Sequence, residues 1–440
     1  MRKTLLSWSV VMAIAVLALG WGAWAGTHPV PPRPADQTVA VGADWYQRLP
    51  LDPRAATDAY LARIPAAMRE RGEVVANSGA VDFGLRLLTL IVATIAICAS
   101  GFAAGMRNSA ERLSNRPIVV DALVALQYFV VLFALTLPVS VYAGFVSSHR
   151  FGFSDESFAA WLADDLVNWA VFTCFYVVGV LVIFHFIRRR PGAWAAWAIG
   201  VYFVLRALYA FLGPGVIEPL TNNFRPLADG PQKQLILALA HANGIADASV
   251  VVGDASRQTR LLDAHVSGFG ETARIAVDDN TLAYTSDAML RMVVAHEIGH
   301  FVLDHEIAAV ITGTIVAGVG FVLIALGMRL LVTRFGPRWG LRGMGDIAAL
   351  PVFWGLYLLW GFVSLPADNA ISRVYEHQAD MYGLNASRES HGMAEFMIHD
   401  ADTSRLSPST VEYVLFYDHP SDAERVMTAM KWRAAQGSSP

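Results

Sequence analysis

The sequence predicts a mainly α-helical, polytopic membrane protein of about seven transmembrane helices, joined to a smaller polar unit with a short β-meander. Three observations support this. Apolar residues make up 55% of the 440-residue chain and charged residues only 16%, against about 25% charged in soluble domains. Six long apolar runs follow residue 82, each meeting the about 20 residues needed to cross a hydrocarbon core of about 30 Å. Segments 218–305 and 368–440 are instead polar, with alternating strand-like and helical patterns.

Composition also excludes some classes. A formal net charge of −4 with no basic stripe leaves no electrostatic footprint for nucleic acid. Cys98 and Cys174 both fall within apolar runs, without a CxxC or Cys/His ribbon. They read as buried structural thiols, not as a thiolate metal site.

Taken in order, residues 1–25 contain Arg2 and Lys3 before the apolar stretch Leu5–Trp24, read as a signal anchor or first transmembrane helix, with a signal peptide cleaved at Ala23-Trp24-Ala25 as the alternative. Residues 26–82 open with Pro29, Pro31, Pro32 and Pro34 and become partly helical around Ala55–Arg71, an extramembrane cap with no evident chemistry. Residues 83–217 hold spans two to five, Leu87–Met106, Ala122–Ser148, Leu166–Ile187 and Ala193–Ile217. Arg206 sits in the middle of the last, where a charge implies a water-filled chamber or a partner in the bundle.

In residues 218–305, a helix from Pro231 to Asn243 is stopped by Gly244. The β-rich runs Ser249–Gly253, Leu261–Ser267 and Ala273–Val277 follow. Ser286 or Asp287 then caps a helix reaching at least Leu303. Residues 306–367 hold spans six and seven, Ile307–Met328 and Ile347–Ala367, and residues 368–440 return to the polar unit. The basic residues Arg2/Lys3, Arg107/Arg112/Arg116, Arg188–Arg190 and Arg329/Arg334/Arg338/Arg342 all fall on one side of a seven-span arrangement. By the positive-inside rule that side is cytoplasmic and the polar unit extracytoplasmic, in the inner membrane if the source is bacterial.

The chemistry centres on His296-Glu297-Ile298-Gly299-His300. Histidines four apart on a helix share one face and can share a metal, while Glu297 reaches a water on it as general base. A catalytic Zn²⁺, one per chain, needs a third ligand, and Glu376 in Arg373-Val374-Tyr375-Glu376-His377-Gln378-Ala379-Asp380 supplies it. Asp380, one turn on, can orient a ligand imidazole. His377 points about 100° away from Glu376, and Asp304 and His305 read as helix-end polar residues.

The ordered motifs resemble the type-I CAAX prenyl protease family of membrane-bound gluzincins. They are Ile217-Glu218-Pro219-Leu220 with Asn223-Phe224-Arg225-Pro226-Leu227, His296–His300, Glu376 with Ala379-Asp380, and Tyr417-Asp418-His419-Pro420 with Glu424-Arg425. The resemblance spans about residues 80–435 and implies a zincin-like catalytic domain capping an intramembrane chamber. It implies that His419 and Arg425 reach the site to polarise the substrate carbonyl or stabilise the oxyanion. The strand that aligns substrate would contain Asp263-Ala264-His265, where the family usually shows Asn-Ala. The expected activity is zinc-dependent endoproteolysis of membrane-associated polypeptides, with or without an attached lipid. The alternatives are a quality-control protease with no prenyl specificity and a transporter or channel with a structural zinc.

Overall fold

The computed structural model describes residues 30, 31, 41, 44–268, 273–399 and 401–437. The expected first span, Leu5–Trp24, and the basic pair Arg2/Lys3 lie outside them. Asp52 caps helix α1 (Pro53–Leu61) by accepting the Ala55 N–H at 2.8 Å, with Pro53 in the first turn where its missing N–H costs nothing. Helix α2 (Ala66–Ala99) ends before Gly101, whose φ of +74° turns the chain into the amphipathic helix α3 (Phe102–Leu113). The apolar run Leu87–Met106 is therefore split between two helices, because a left-handed residue cannot continue an α-helix.

Helix α4 (Pro117–Ser140) carries Pro138 near its end and passes through a π-helical turn, Val141–Val146, to Arg150. Helices α5 (Phe158–Arg189) and α6 (Trp194–Leu212) follow, and Pro214 again lies in a π-helical turn, Gly213–Ile217. Proline removes an intrahelical donor, and π-turns accommodate such breaks. Among the described residues six helices are long and apolar enough to cross a membrane. Cys98 is buried, but Cys174 is exposed on the outside of α5 rather than buried as expected, since an apolar run in a span can face lipid.

The polar unit contains β1 (Phe224–Pro226), α7 (Pro231–Ala242), β2 (Ser249–Gly253), β3 (Ala264–Ser267), β4 (Arg274–Asp278), α8 (Asp279–Tyr284) and α9 (Asp287–Val302). The sheet order is β1-β2-β4-β3, with β2 and β4 parallel and the other pairs antiparallel. This corrects the expected meander. Ile275, Ala276 and Val277 are the most buried strand residues, so β4 takes a central position and the more polar β3 is left at the edge. Ile275 and Val277 pack with Ile236 of α7 and with Leu290, Val294 and Ile298 of α9.

Asp304, at φ +53°, breaks the chain between α9 and the span α10 (His305–Trp339). Helix α11 (Leu350–Ser387) is continuous through Pro366, so the border expected at residue 367 falls inside a helix. Proline is tolerated within membrane helices where neighbours satisfy the freed carbonyl. Helices α12 (Ser390–His399), α13 (Thr410–Phe416) and α14 (Asp422–Ala435) complete the polar unit. Tyr60 and Met68 join Met393, Ile398, Val426 and Met430 in its second core, so part of the expected cap packs with the C-terminal segment.

At the opposite end of the bundle, Arg107 pairs with Asp346, Arg188 with Asp121 and Arg342 with Glu111. Three of the four basic clusters thus meet at one end. Near the polar unit, Arg71 pairs with Asp402 at 3.0 Å, both buried, and also donates to the Phe151 carbonyl at 2.7 Å. Asp402→Ala leaves that buried guanidinium uncompensated. It should lower stability by about 3–5 kcal/mol, read as a fall in thermal unfolding temperature in detergent.

Candidate metal centre

Ser286 Oγ accepts the Met289 N–H at 3.3 Å and starts α9, which presents His296 and His300 on one face, one turn apart. Glycine inside a helix costs about 1 kcal/mol against alanine, and two such positions lie where α9 meets α11. A Cβ on Gly299 would lie 3.0 Å from Tyr382 Cβ, and one on Gly383 would lie 2.6 Å from Met292 Cε and 3.1 Å from His296 N. Their bare backbones admit the close approach that sets Glu376 opposite the two imidazoles.

His296 Nε2 and His300 Nε2 are 3.1 Å apart. Glu376 Oε2 lies 3.3 Å from the first and Oε1 lies 3.5 Å from the second. Ligand atoms of a tetrahedral ion bound at about 2.0–2.1 Å sit about 3.3–3.4 Å apart. The triangle fits. Glu376 Oε2 is also buried without a hydrogen bond, although imidazole nitrogens of His296 and His419 lie 3.3 and 3.2 Å away. Atoms this near but not aligned on one another converge on a shared point, as metal ligands do.

Each imidazole is held from behind. His296 Nδ1 lies 3.0 Å from Asp380 Oδ1, and Arg425 grips Asp380 through Nε at 3.0 Å and Nη2 at 2.5 Å. Arg425 is expected to polarise the substrate carbonyl; its guanidinium is here engaged by Asp380, and it also lines a small cavity with His296, Glu297 and His419. A bidentate carboxylate leaves its guanidinium little freedom to face a substrate. On the other side, His300 Nδ1 is 3.0 Å from His305 Nδ1, and His305 Nε2 is 3.0 Å from Gln378 Oε1. The Gln378 carbonyl accepts the His305 Nε2–H, so His305 Nδ1 accepts the His300 Nδ1–H, leaving the His300 Nε2 lone pair toward Glu376.

The role of His305 was not anticipated. It begins α10, and the left-handed turn at Asp304 sets its ring back against His300. No local spacing rule reports such a turn at an aspartate, although glycine within a helical zinc motif was a readable sign of close packing.

Burial opposes charge on His296, but the contacts with Asp380 and Glu376 outweigh it and push the imidazole up to about 9. A field that favours a proton there also favours a divalent cation. Glu297 lies in the same cavity and makes no hydrogen bond or ion pair among the described residues. Burial raises its carboxyl above the usual range against the pull of His296 and His300.

His419 Nδ1 is 2.9 Å from Asp418 Oδ1. Burial would lower its pKa, but Asp418 and Glu376 raise it overall, favouring an Nε2–H donor beside the site. Asp263, Ala264 and His265 line the same cavity, which measures about 1010 Å³. β3 is an open edge, but Asp263 Oδ1 already accepts the Ala264 N–H at 2.9 Å, and His265 Nε2 lies 3.3 Å from Glu218.

Residues 226–433 match the model of peptidase family M48, and residues 71–223 match one described as CAAX prenyl protease N-terminal, five membrane helices. The chain belongs to peptidase family M48. Relatives include an uncharacterized metalloprotease, YhfN, of Bacillus subtilis. It is 30% identical over 301 residues, covering 68% of this chain and 70% of the relative. CAAX prenyl protease 1 of Saccharomyces cerevisiae is 27% identical over 319 residues, covering 67% and 68%. The fold is also that of Ste24p from S. mikatae, at a TM-score of 0.66, 20% identity and coverage of 98% and 99%. This M48 protein is a multi-pass membrane metalloendopeptidase, and its family implies a metal cofactor. Nothing in these matches favours a transporter or channel.

Because Asp380 contacts the candidate ligand His296 and is itself gripped by Arg425, Asp380→Asn in this M48 protein should weaken metal binding about 10–100-fold. Competition with a chromogenic chelator measures it.

Proposed function

We propose that the protein is a zinc endopeptidase acting on membrane-associated polypeptides, with His296, His300 and Glu376 holding the ion. The observation that carries this reading is the convergence of three ligand atoms beside an unpaired carboxylate, Glu297, in one cavity. Two imidazoles and one carboxylate are a donor set that suits zinc, which in catalytic sites keeps a further position open to water. When bound, the ion supplies Lewis acidity that makes water a nucleophile near neutral pH.

Glu297 takes the proton of the attacking water and returns it to the departing amine. His419 donates its Nε2–H toward the carbonyl oxygen as negative charge develops there. Asp380 with Arg425, and His305 with Gln378, keep the two imidazoles oriented. The edge of β3 aligns an extended peptide through backbone groups, and Asp263 must release the Ala264 N–H for that donor to take part.

The arginine clusters at one end of the bundle support a cytoplasmic position for that end and an extracytoplasmic site, in a bacterial inner membrane. That placement favours surplus or damaged membrane polypeptides as substrates over prenylated cytosolic proteins. Glu297→Gln should abolish peptide cleavage while retaining one zinc per chain, measured by fluorogenic peptide assay and elemental analysis. Full activity in that variant, or purified wild-type protein without zinc, contradicts the reading. Farnesylated and unmodified versions of one peptide should be cut with similar kcat/KM. A strong preference for the farnesylated form would shift the substrate to prenylated chains.

A further inference from the structure

The end of the bundle opposite the metal centre carries charge that the described residues do not balance. Segments 101–121, 184–197 and 330–350 together hold nine arginines and no lysine, against three carboxylates, Glu111, Asp121 and Asp346. Each carboxylate is already taken, by Arg342, Arg188 and Arg107 respectively. Six arginines remain, Arg112 and Arg116, Arg189 and Arg190, Arg334 and Arg338, and all six are exposed. Among the described residues none of them makes an ion pair. Arg112 Nε donates to the Asn108 carbonyl at 3.3 Å, and the Arg334 guanidinium rests over the Phe335 ring.

These arginines stand around one loop, residues 340–346, between α10 and α11. Helix α3 packs against the start of that loop. A Cβ on Gly340 would lie 3.1 Å from Ala104 Cβ, and Arg107 Nη1 donates to the Gly340 carbonyl at 3.2 Å. The end of α5 meets the far end of the loop, where Arg188 Nη1 donates to the Gly345 carbonyl at 3.2 Å. The paired arginines thus fasten α3, α5 and the loop together, and the unpaired ones stand on the same segments with nothing opposite them.

Large apolar side chains are exposed at the same level. Phe102 and Leu113 lie at the two ends of α3, Ile118 in the first turn of α4, and Trp197 in the first turn of α6, where its ring stacks on Phe186. Spans α4, α5, α6, α10 and α11 all begin or end here, at the level where hydrocarbon gives way to headgroups.

We propose that this face binds the phosphodiester headgroups of anionic phospholipids, with the six unpaired arginines as the cationic contacts. The guanidinium fork matches phosphate oxygens bidentately, and acyl chains cover the apolar side chains beside it. A basic side chain close to an anionic leaflet is worth about fivefold in binding, and salt screens the attraction. A nucleic acid offers the same phosphodiester but has nothing with which to cover Phe102, Leu113 and Ile118. Bound lipids also offset repulsion among the arginines, and so hold α3 against the ends of the spans.

The test uses the full-length protein in phosphatidylcholine bilayers containing spin-labelled phosphatidylglycerol or spin-labelled phosphatidylcholine with the same acyl chains. The motionally restricted fraction should show association at least about fivefold in favour of phosphatidylglycerol, falling toward one in about 0.5 M sodium chloride. The double substitutions Arg112→Gln with Arg116→Gln, and Arg189→Gln with Arg190→Gln, should each lower the ratio, and lysine at the same positions should keep most of it. Arg54→Gln, at an exposed arginine of α1, should leave it unchanged. In detergent, phosphatidylglycerol should raise the thermal unfolding temperature of wild type more than that of either glutamine pair, and phosphatidylcholine should not raise it.

The wild-type ratio and its salt dependence read the surface even if a glutamine pair does not fold. A wild-type ratio near one overturns the proposal, as does a preference that persists undiminished in both glutamine pairs. So does an equal rise in unfolding temperature with a short single-stranded oligonucleotide, which assigns the face to nucleic acid. None of these outcomes bears on the peptidase reading, because no residue of the metal centre takes part.

Discussion

The close crossing of α9 and α11 is the constraint on which the site depends. Gly299 and Gly383 leave backbone against side chain, and in the case of Gly383 nearly backbone against backbone. One methyl group at either position would lie inside ordinary van der Waals distance of neighbouring atoms, and interiors packed at crystal density have little slack to absorb it. Two of the proposed ligands come from one helix and the third from the other. The spacing of the helices is therefore also the spacing of the ligand triangle.

Around that crossing the polar groups are arranged in two chains running away from the ligands. One passes from His296 through Asp380 to Arg425, the other from His300 through His305 to Gln378. Both end on a group with a fixed hydrogen-bonding sense: arginine only donates, and the glutamine carbonyl only accepts. Each chain thereby favours Nε2 of its histidine as the nitrogen left facing Glu376. Glu297 belongs to neither chain, which suits the proton exchange proposed for it. The half-exposed His419 approaches from the C-terminal segment with Asp418 behind it.

Much of this was legible in the sequence because it is local. Residues four apart on a helix share a face, so His296 and His300 declared themselves, and Glu376 with Asp380 did so by the same rule. The spans were legible because uncharged stretches of such length have few other uses. Pairings across the fold were less accessible. β4 lies between β2 and β3 because it buries the most, a comparison among strands that no single run reveals. Arg425 looked like a group for the substrate because sequence order does not show that Asp380 reaches it first. His305 looked like a helix end because the turn at Asp304 uses a backbone conformation that aspartate adopts only occasionally.

The continuity of α11 from Leu350 to Ser387 has a mechanical meaning. His296 and His300 ride on a helix separated from the next span by the break at Asp304, whereas Glu376 is carried on a rod whose lower part, Leu350 to Trp354, is buried within the helix bundle. A metal held by all three would act as a rivet between a helix that ends before the next span and a helix that is continuous with one. Tilting of that rod would move one corner of the triangle and not the other two. With the proposed ligands, the geometry of the reaction centre would depend on the tilt of a span, as that of an enzyme with all its ligands on extramembrane helices would not.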